Sequence, residues 1–196
     1  MRANRLNLGS KFSIAVTAIV GITMFAVATL IINYQRESLR ENTDANNFAM
    51  TRNLAHDAAE PLLVFDPLWL DELVNTVHGV APSAYAMIAD GNGVIVAQTK
   101  RSLLGSTLEQ NFTELAGVLS SGRESVREYR HESGPVKEFS VPIRIGDKVL
   151  GLATIGYSMN DIDAVIEARL RNLKKYIYMI TGIILISGIA GAFLVS

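Results

Sequence analysis

Apolar and polar positions divide this chain into stretches of different period. Phe12–Ile32, FSIAVTAIVGITMFAVATLII, runs for twenty-one residues without a charge, between Lys11 and Arg36. A bilayer core about 30 Å thick takes roughly 20 apolar residues at about 1.5 Å of helical rise each, so this stretch is long enough to cross a membrane. Tyr176–Val195 is a second uncharged stretch, nearly as long, at the other end. Between the two, polar residues interleave with apolar ones and the period changes several times.

Asn33 to Glu60 has helical composition, with no proline or glycine, and Leu39, Phe48, Leu54 and Ala58 recur at loose helical spacings. The pattern predicts a long helix over 34–60 that continues the first span outward as a rod and ends before Pro61. A narrow apolar stripe needs a cover, and either a second copy or the rod's own domain would provide one. The stripe is too irregular for a coiled coil. Glu60–Phe65 reads as an apolar break. Asp66 as N-cap, Pro67 at the first helical position and Asp71-Glu72 in the early turns then predict a helix over 67–79. Leu70, Leu73, Val74 and Val77 give it one apolar face; Trp69 reads as packing and His78 as a residue of the last turn.

From Pro82 the period shortens. Tyr85–Asp90 and Val94–Thr99 flank Gly91-Asn92-Gly93, which predicts a β-hairpin. Phe112–Leu119 predicts a short helix, with Thr113 as its cap and Ser120-Ser121-Gly122 as its stop. Three strands follow: Ser125–Arg130, Val136–Ile145 with Pro142 marking a bulge or an edge, and Val149–Tyr157 after the turn Gly146-Asp147-Lys148. Gly151 and Gly156 mark places in the last strand where a helix or ligand approaches the backbone. Asn160 is the expected cap of an exit helix over 160–175, and no breaker separates that helix from the second apolar stretch. The expected order is thus a tail 1–11, a span 12–32, a folded segment 34–175 with its sheet over 84–157, and a return span 176–195.

Charge changes this picture in two places. Arg2, Arg5 and Lys11 precede the first span with no acid among them, which keeps the N-terminus in the cytoplasm by the positive-inside rule. Ala26-Val27-Ala28 resembles a signal-peptidase site, but the apolar run begins fourteen residues before it and continues through Ile32, as an uncleaved anchor does. Arg169, Arg171, Lys174 and Lys175 stand against this topology, since it places them outside. The first span is taken to dominate. The chain stops at Ser196 directly after the second span, so an output domain is expected beyond this sequence.

The 196 residues carry a net charge of -1, with no concentrated basic stripe of the kind nucleic acid requires. There are no cysteines, hence no disulfide and no thiolate metal site. His56, His78 and His131 are scattered without ligand spacing, and no nucleophile elbow, P-loop or zinc motif is present, so neither catalysis nor a metal or other cofactor is expected. Binding remains. Arg52 and His56 lie one helical turn apart; Tyr85 is on the first strand, Lys100 and Arg101 follow the second, and Arg127, Tyr129 and His131 lie on the third or its turn. A small anion suits such a set, arginine offering a planar fork and lysine a point charge. The competing reading is that Arg52 pairs with a local acid and that the other cations face water.

The order of elements resembles the extracytoplasmic PAS-like, or single Cache, sensor domains of bacterial receptors, over about Tyr34 to Lys175. YAMIADGNGVIVAQTKRSLLGSTL resembles their strand, Asp-x-x-Gly turn, strand and loop closing on Leu-Gly. VKEFSVPIRIGDKVLGLATIGYSMNDIDAVI resembles their closing hairpin and exit helix. The resemblance implies an α+β fold, a five-stranded antiparallel sheet with a long N-terminal helix, flanked by two transmembrane helices. It also implies a homodimeric, non-enzymatic input module in the bacterial inner membrane, serving a histidine kinase, diguanylate cyclase or chemoreceptor. Its partner is a small molecule or a periplasmic protein. Carboxylate-sensing members use a basic residue and a histidine on the long helix; Arg52 and His56 are similar, one residue further apart. Their usual histidine after the second strand is replaced here by Gln98-Thr99-Lys100.

Overall fold

The computed structural model describes residues 8–80, 83–131 and 134–194. They form two compact units: Glu41–Ala164, and the chain up to Arg40 together with the chain from Val165. Two long helices serve both, α1 (Leu8–Asp57) and α6 (Met159–Leu194). Among the described residues, one helix is long and apolar enough to cross a membrane by length and composition, with an 18-residue window of mean hydropathy 2.4 near the N-terminus.

In the helical unit, small residues set the approach. A Cβ on Gly21 would stand 2.7 Å from Leu185 Cδ2, and one on Gly188 would stand 2.5 Å from Thr17. Close helix contact at such positions gains dispersion energy where apolar surroundings offer no hydrophobic drive. Glu167 joins the two helices at their polar ends, accepting from Arg36 and, at 2.7 Å, from Lys174 Nζ.

The second unit is an antiparallel sheet of β1 (Ser83–Asp90), β2 (Ile95–Gln98), β3 (Ser125–His131), β4 (Gly134–Ile145) and β5 (Lys148–Ser158), in the order β2-β1-β5-β4-β3. The Asp90 carboxylate closes the β1–β2 turn, accepting from the N–H groups of Asn92 at 2.9 Å and Val94 at 2.8 Å. This is the α+β architecture implied by the resemblance.

Strand side chains alternate between faces, so two contacts assign both sides of β4. Lys137 Nζ reaches Asp44 Oδ2 on α1 at 2.7 Å, and Phe139 meets Phe48 of α1 edge-on at 5.8 Å. Val136, Glu138 and Ser140 therefore face away from α1. Thr51, Leu54, Ala55 and Ala58 are buried and Phe48 meets Phe139, so from Phe48 to Ala58 the apolar stripe of the rod is covered by its own domain.

The rod ends earlier than its composition predicts. α1 stops at Asp57, Ala58 makes a turn, and the expected apolar break is itself a short helix, α2 (Ala59–Val64). Pro61 has no N–H to give the Asp57 carbonyl, so that rung of the ladder is missing, yet proline fits the first turn of α2. Phe65 closes α2 in the left-handed region at φ 60°. Asp66 Oδ1 then accepts from Trp69 N at 3.1 Å and caps α3 (Pro67–Val80), one residue longer than expected.

Two further caps differ. Thr113 is not a cap: its hydroxyl donates to Glu109 O at 3.1 Å, within a turn formed by α4 (Leu108–Asn111) and α5 (Thr113–Ser121). The start of α6 is capped by Ser158, whose Oγ accepts from Asp161 N at 3.3 Å, and Asn160 lies inside the helix. Pro142 sits past the end of β3, whose pairing stops at Ser125↔Ser140, so that side of β4 is locally an edge. The register shift follows directly, between Ile143 and Arg144.

The two strand glycines are filled from within. A Cβ on Gly151 would lie 2.2 Å from Ala89 O, and one on Gly156 would lie 2.4 Å from Cε1 of Tyr85. The Tyr85 ring thus rests across β5 at Gly156. Gly156→Ala is expected to destabilise the protein by about 1–3 kcal/mol, as overpacking a closed core does. Gly117→Ala on α5, with nothing within 4 Å, is expected to be neutral or stabilising by up to about 1 kcal/mol. Urea unfolding of the two variants checks this, and equal effects would remove the constraint assigned to Gly156.

Candidate ligand cavity

The sheet face turned away from α1 carries a polar chain beside an apolar layer. Met87, Ala89, Leu108, Leu115 and Leu152 form the buried apolar part. Tyr85 reaches over Gly156 to β4, where its hydroxyl donates to Glu138 Oε2. Tyr129 Oη donates to Tyr85 Oη at 3.0 Å, and Arg127 Nε donates to Glu138 Oε1 at 2.7 Å. Arg127 also pairs with Glu114 on α5 and lies 4.8 Å above the Tyr129 ring. Register explains the pairing: Arg127 stands directly opposite Glu138, and Tyr129 opposite Val136. Glu138 is 1% exposed, so a cation and a hydroxyl together replace its water.

Burial, then the Glu138 charge and the Tyr129 hydroxyl, hold the Tyr85 hydroxyl far above the ordinary tyrosine value. Burial raises Tyr129 as well. Burial works against the Arg127 charge, but the hydrogen bond to Glu138, the Glu138 charge and the neighbouring tyrosines together outweigh it, and its pKa is raised. On the α1 face, burial alone pushes the Tyr157 hydroxyl upward.

Beside this chain lies a cavity of about 80 Å³, lined by Ala84, Tyr85, Gln98, Lys100, Leu103, Phe112, Tyr129 and Val136. Phe112 stacks on Tyr85 with centroids 6.4 Å apart. Leu103, Phe112 and Tyr129 also border an outer cleft of about 570 Å³ that includes Arg127 and Glu114. Gln98 is 4% exposed, and its Oε1 is buried without a hydrogen-bond partner. A native protein rarely leaves such an acceptor unmatched.

Tyr85, Lys100 and Tyr129 thus come together at one cavity, with Arg127 alongside. Arg52 and His56 do not join them. Both are on α1, against the opposite face of the sheet. Arg52 makes a two-pronged pair with Glu124, Nε to Oε1 at 2.9 Å and Nη2 to Oε2 at 2.7 Å, and lies 4.4 Å over the Phe48 ring. That bond raises Arg52 and lowers Glu124 from their ordinary values. His56 borders an open hollow with Glu60, Trp69 and Arg144. Arg101 opens a short 3₁₀ turn (Arg101–Leu103) and His131 ends β3, but their side chains lie outside the described residues. Residue types alone did not point to Gln98, Phe112 or Glu138. The signal for Glu138 was the Arg127 partner set by the tight β3–β4 hairpin. Among the described residues no group of histidines and carboxylates could hold a metal ion.

The single Cache domain 3 family matches residues 34–171, and the chain belongs to that family. No curated protein matches the sequence. Among solved structures it is similar to the Escherichia coli DcuS sensor domain, at 18% identity and a TM-score of 0.55, covering 68% of this chain and 98% of that one. The sensor domain of the Vibrio cholerae histidine kinase DctB gives 15% and 0.53, covering 72% of this chain and 60% of that one. The ligand-binding domain of the Campylobacter jejuni chemoreceptor Tlp3, in complex with L-norvaline, gives 15% and 0.59, with 74% and 61% covered. The fold is therefore that of Cache sensor domains, modules of membrane receptors that bind small ligands.

The buried hydroxyl gives a pH signature. Below the ordinary tyrosine value of 10.0, Tyr85 is protonated in both folded and unfolded chains and its contribution is constant. Above it the unfolded chain releases a proton that the folded chain retains, so stability falls as pH rises. Denaturation followed from pH 8 to about 11.5 should show this fall, and Tyr85→Phe should make it less steep, leaving the share that Tyr129 and Tyr157 contribute. A variant with the parent's alkaline slope would place the effect elsewhere.

Proposed function

We propose that this chain is the extracytoplasmic input module of a bacterial two-span signalling receptor. The sensor domain, 34–175, is held between membrane spans at 12–32 and 176–195, with the tail 1–11 in the cytoplasm. It acts as a homodimer in the inner membrane. It serves a cytoplasmic output domain of the histidine kinase, diguanylate cyclase or chemoreceptor type. A small molecule bound beside Tyr85 and Tyr129 favours one helix arrangement, by its differential affinity for the two. The cavity carries this reading, because a largely apolar hollow on which a few polar side chains, Tyr85, Gln98, Lys100 and Tyr129, converge suits a small ligand.

A second reading, recognition of a periplasmic protein, rests on a different observation. Leu63, Val64, Phe65, Leu68 and Trp69 are 60%, 66%, 71%, 83% and 55% exposed. Phe65 holds the left-handed conformation where glycine would be unstrained. An exposed aromatic kept at a strained position supports a contact role.

Melting of the full chain in lipid nanodiscs, against carboxylates, amino acids, amines and phosphates, tests the first reading. A ligand at 100 times its Kd adds about 2.7 kcal/mol, a rise of several degrees. The gain should vanish in Ala84→Leu, which fills the cavity. A gain that survives this change would place the ligand elsewhere, and indifference to the whole panel would favour the protein partner. For the second, Phe65→Gly is expected to stabilise the chain by about 1 kcal/mol in urea, and a loss of stability would show that Phe65 serves packing.

A further inference from the structure

The corner between α2 and α3 combines an apolar surface with a single sign of charge. Leu63, Val64, Phe65, Leu68 and Trp69 are each more than half exposed, all within residues 63–69. Soluble domains rarely leave so continuous an apolar patch without a partner. Acids surround it. On α2, Glu60 stands three and four residues before Leu63 and Val64; on α3, Glu72 stands three and four residues after Trp69 and Leu68. Each therefore shares a helix face with the patch, and both are exposed. Asp57, Asp66 and Asp71 are the other acids of this stretch, and no lysine or arginine stands between Arg52 and Lys100.

The open hollow beside the patch, of about 550 Å³, has Asp57, Glu60, Trp69 and Leu73 on its wall. Among the described residues Arg144 is the one lysine or arginine lining it, and its Nη2 donates to the Gly122 carbonyl. Patch and hollow together are apolar and negative. That combination turns two occupants away. A second copy seated on the same patch about a twofold axis would set Glu60, Glu72 and their neighbours against the same acids, and like charges across an interface oppose binding. An anionic bilayer surface is repelled for the same reason. A segment that carries apolar anchors beside positive charges is complementary on both counts.

We propose that the α2–α3 corner docks a basic amphipathic segment of a partner protein, its apolar side chains on Leu68 and Trp69 and its lysines or arginines at Glu60 and Glu72. This rests on the protein-partner reading above and adds the partner's chemistry to it.

Trp69 is the only tryptophan of the chain, so its emission reports on the patch itself. The probes are a short tryptophan-free helical peptide of leucine and lysine, with the leucines along one face, and its counterpart with glutamate for lysine. Each is titrated into the full chain in nonionic maltoside micelles. The lysine peptide is expected to shift the emission to the blue with saturation, and to bind more weakly as salt is raised. The glutamate peptide is expected to leave the emission unchanged. The double reversal Glu60→Lys/Glu72→Lys is expected to weaken the lysine peptide at least about tenfold and to admit the glutamate peptide. The two peptides on the parent chain decide the matter if the reversal fails to fold. Leu68→Ser, at a position 83% exposed, should weaken the lysine peptide and leave the melting temperature unchanged. Equal binding of the two peptides, or a lysine-peptide affinity unmoved by the reversal, overturns the basic chemistry and leaves a protein-docking patch in place. A shift produced by chain concentration alone, or by phosphatidylglycerol vesicles and neither peptide, gives the patch to a second copy or to lipid and overturns the proposal. A folded chain whose Trp69 responds to neither peptide, nor to a leucine–glutamine peptide, removes both the proposal and the protein-partner reading.

Discussion

The buried Glu138 carboxylate is the constraint on which the cavity side of this domain depends. An ionised group at 1% exposure is tolerable only with full replacement of its water. Arg127 supplies charge and Tyr85 supplies a hydroxyl proton, one from the neighbouring strand and one from across β5. Satisfying Glu138 thus fixes three side chains on three strands. It also orients the Tyr129 hydroxyl, and with it the polarity of the cavity wall.

The sheet keeps two kinds of surface apart. On the α1 side, Phe48, Phe139 and Tyr157 meet edge to face, and Lys137 and Arg52 tie the helix and its surroundings with ion pairs to Asp44 and Glu124. That side is packing and attachment. The other side holds the cavity, the outer cleft and the polar chain. β5, with one of these layers on each side, lies at the centre of the sheet and is buried from Gly151 to Tyr157. A change around Tyr85 is therefore one strand thickness from the helix that carries Arg52.

The fold class was legible because hydrophobic periods and turn dipeptides are local signals. Asp66-Pro67 and Asp90-Gly91 mark a helix start and a hairpin through chemistry that needs no tertiary context. The break at Ala58 was not legible, since Pro61 acts four residues upstream through a missing donor. α4 has four residues, too few to show a period. At the site, residue type nominated Tyr85, Lys100 and Tyr129, which lie together, and also Arg52 and His56, which do not join them. A helix face can be read from sequence, but the side of the sheet it meets cannot. Glu138 and Gln98 required register and burial, which are non-local quantities.

Gly156 has a bearing on how this sequence can change over generations. Tyr85 occupies the volume that a side chain at 156 would need. Residue 85 can shrink first and leave a hollow, whereas residue 156 growing first carries the overpacking cost against the Tyr85 ring. Substitution at these two positions is consequently ordered. A route that shrinks residue 85 first avoids that overpacking, but gives up the hydroxyl that Glu138 holds before anything replaces it.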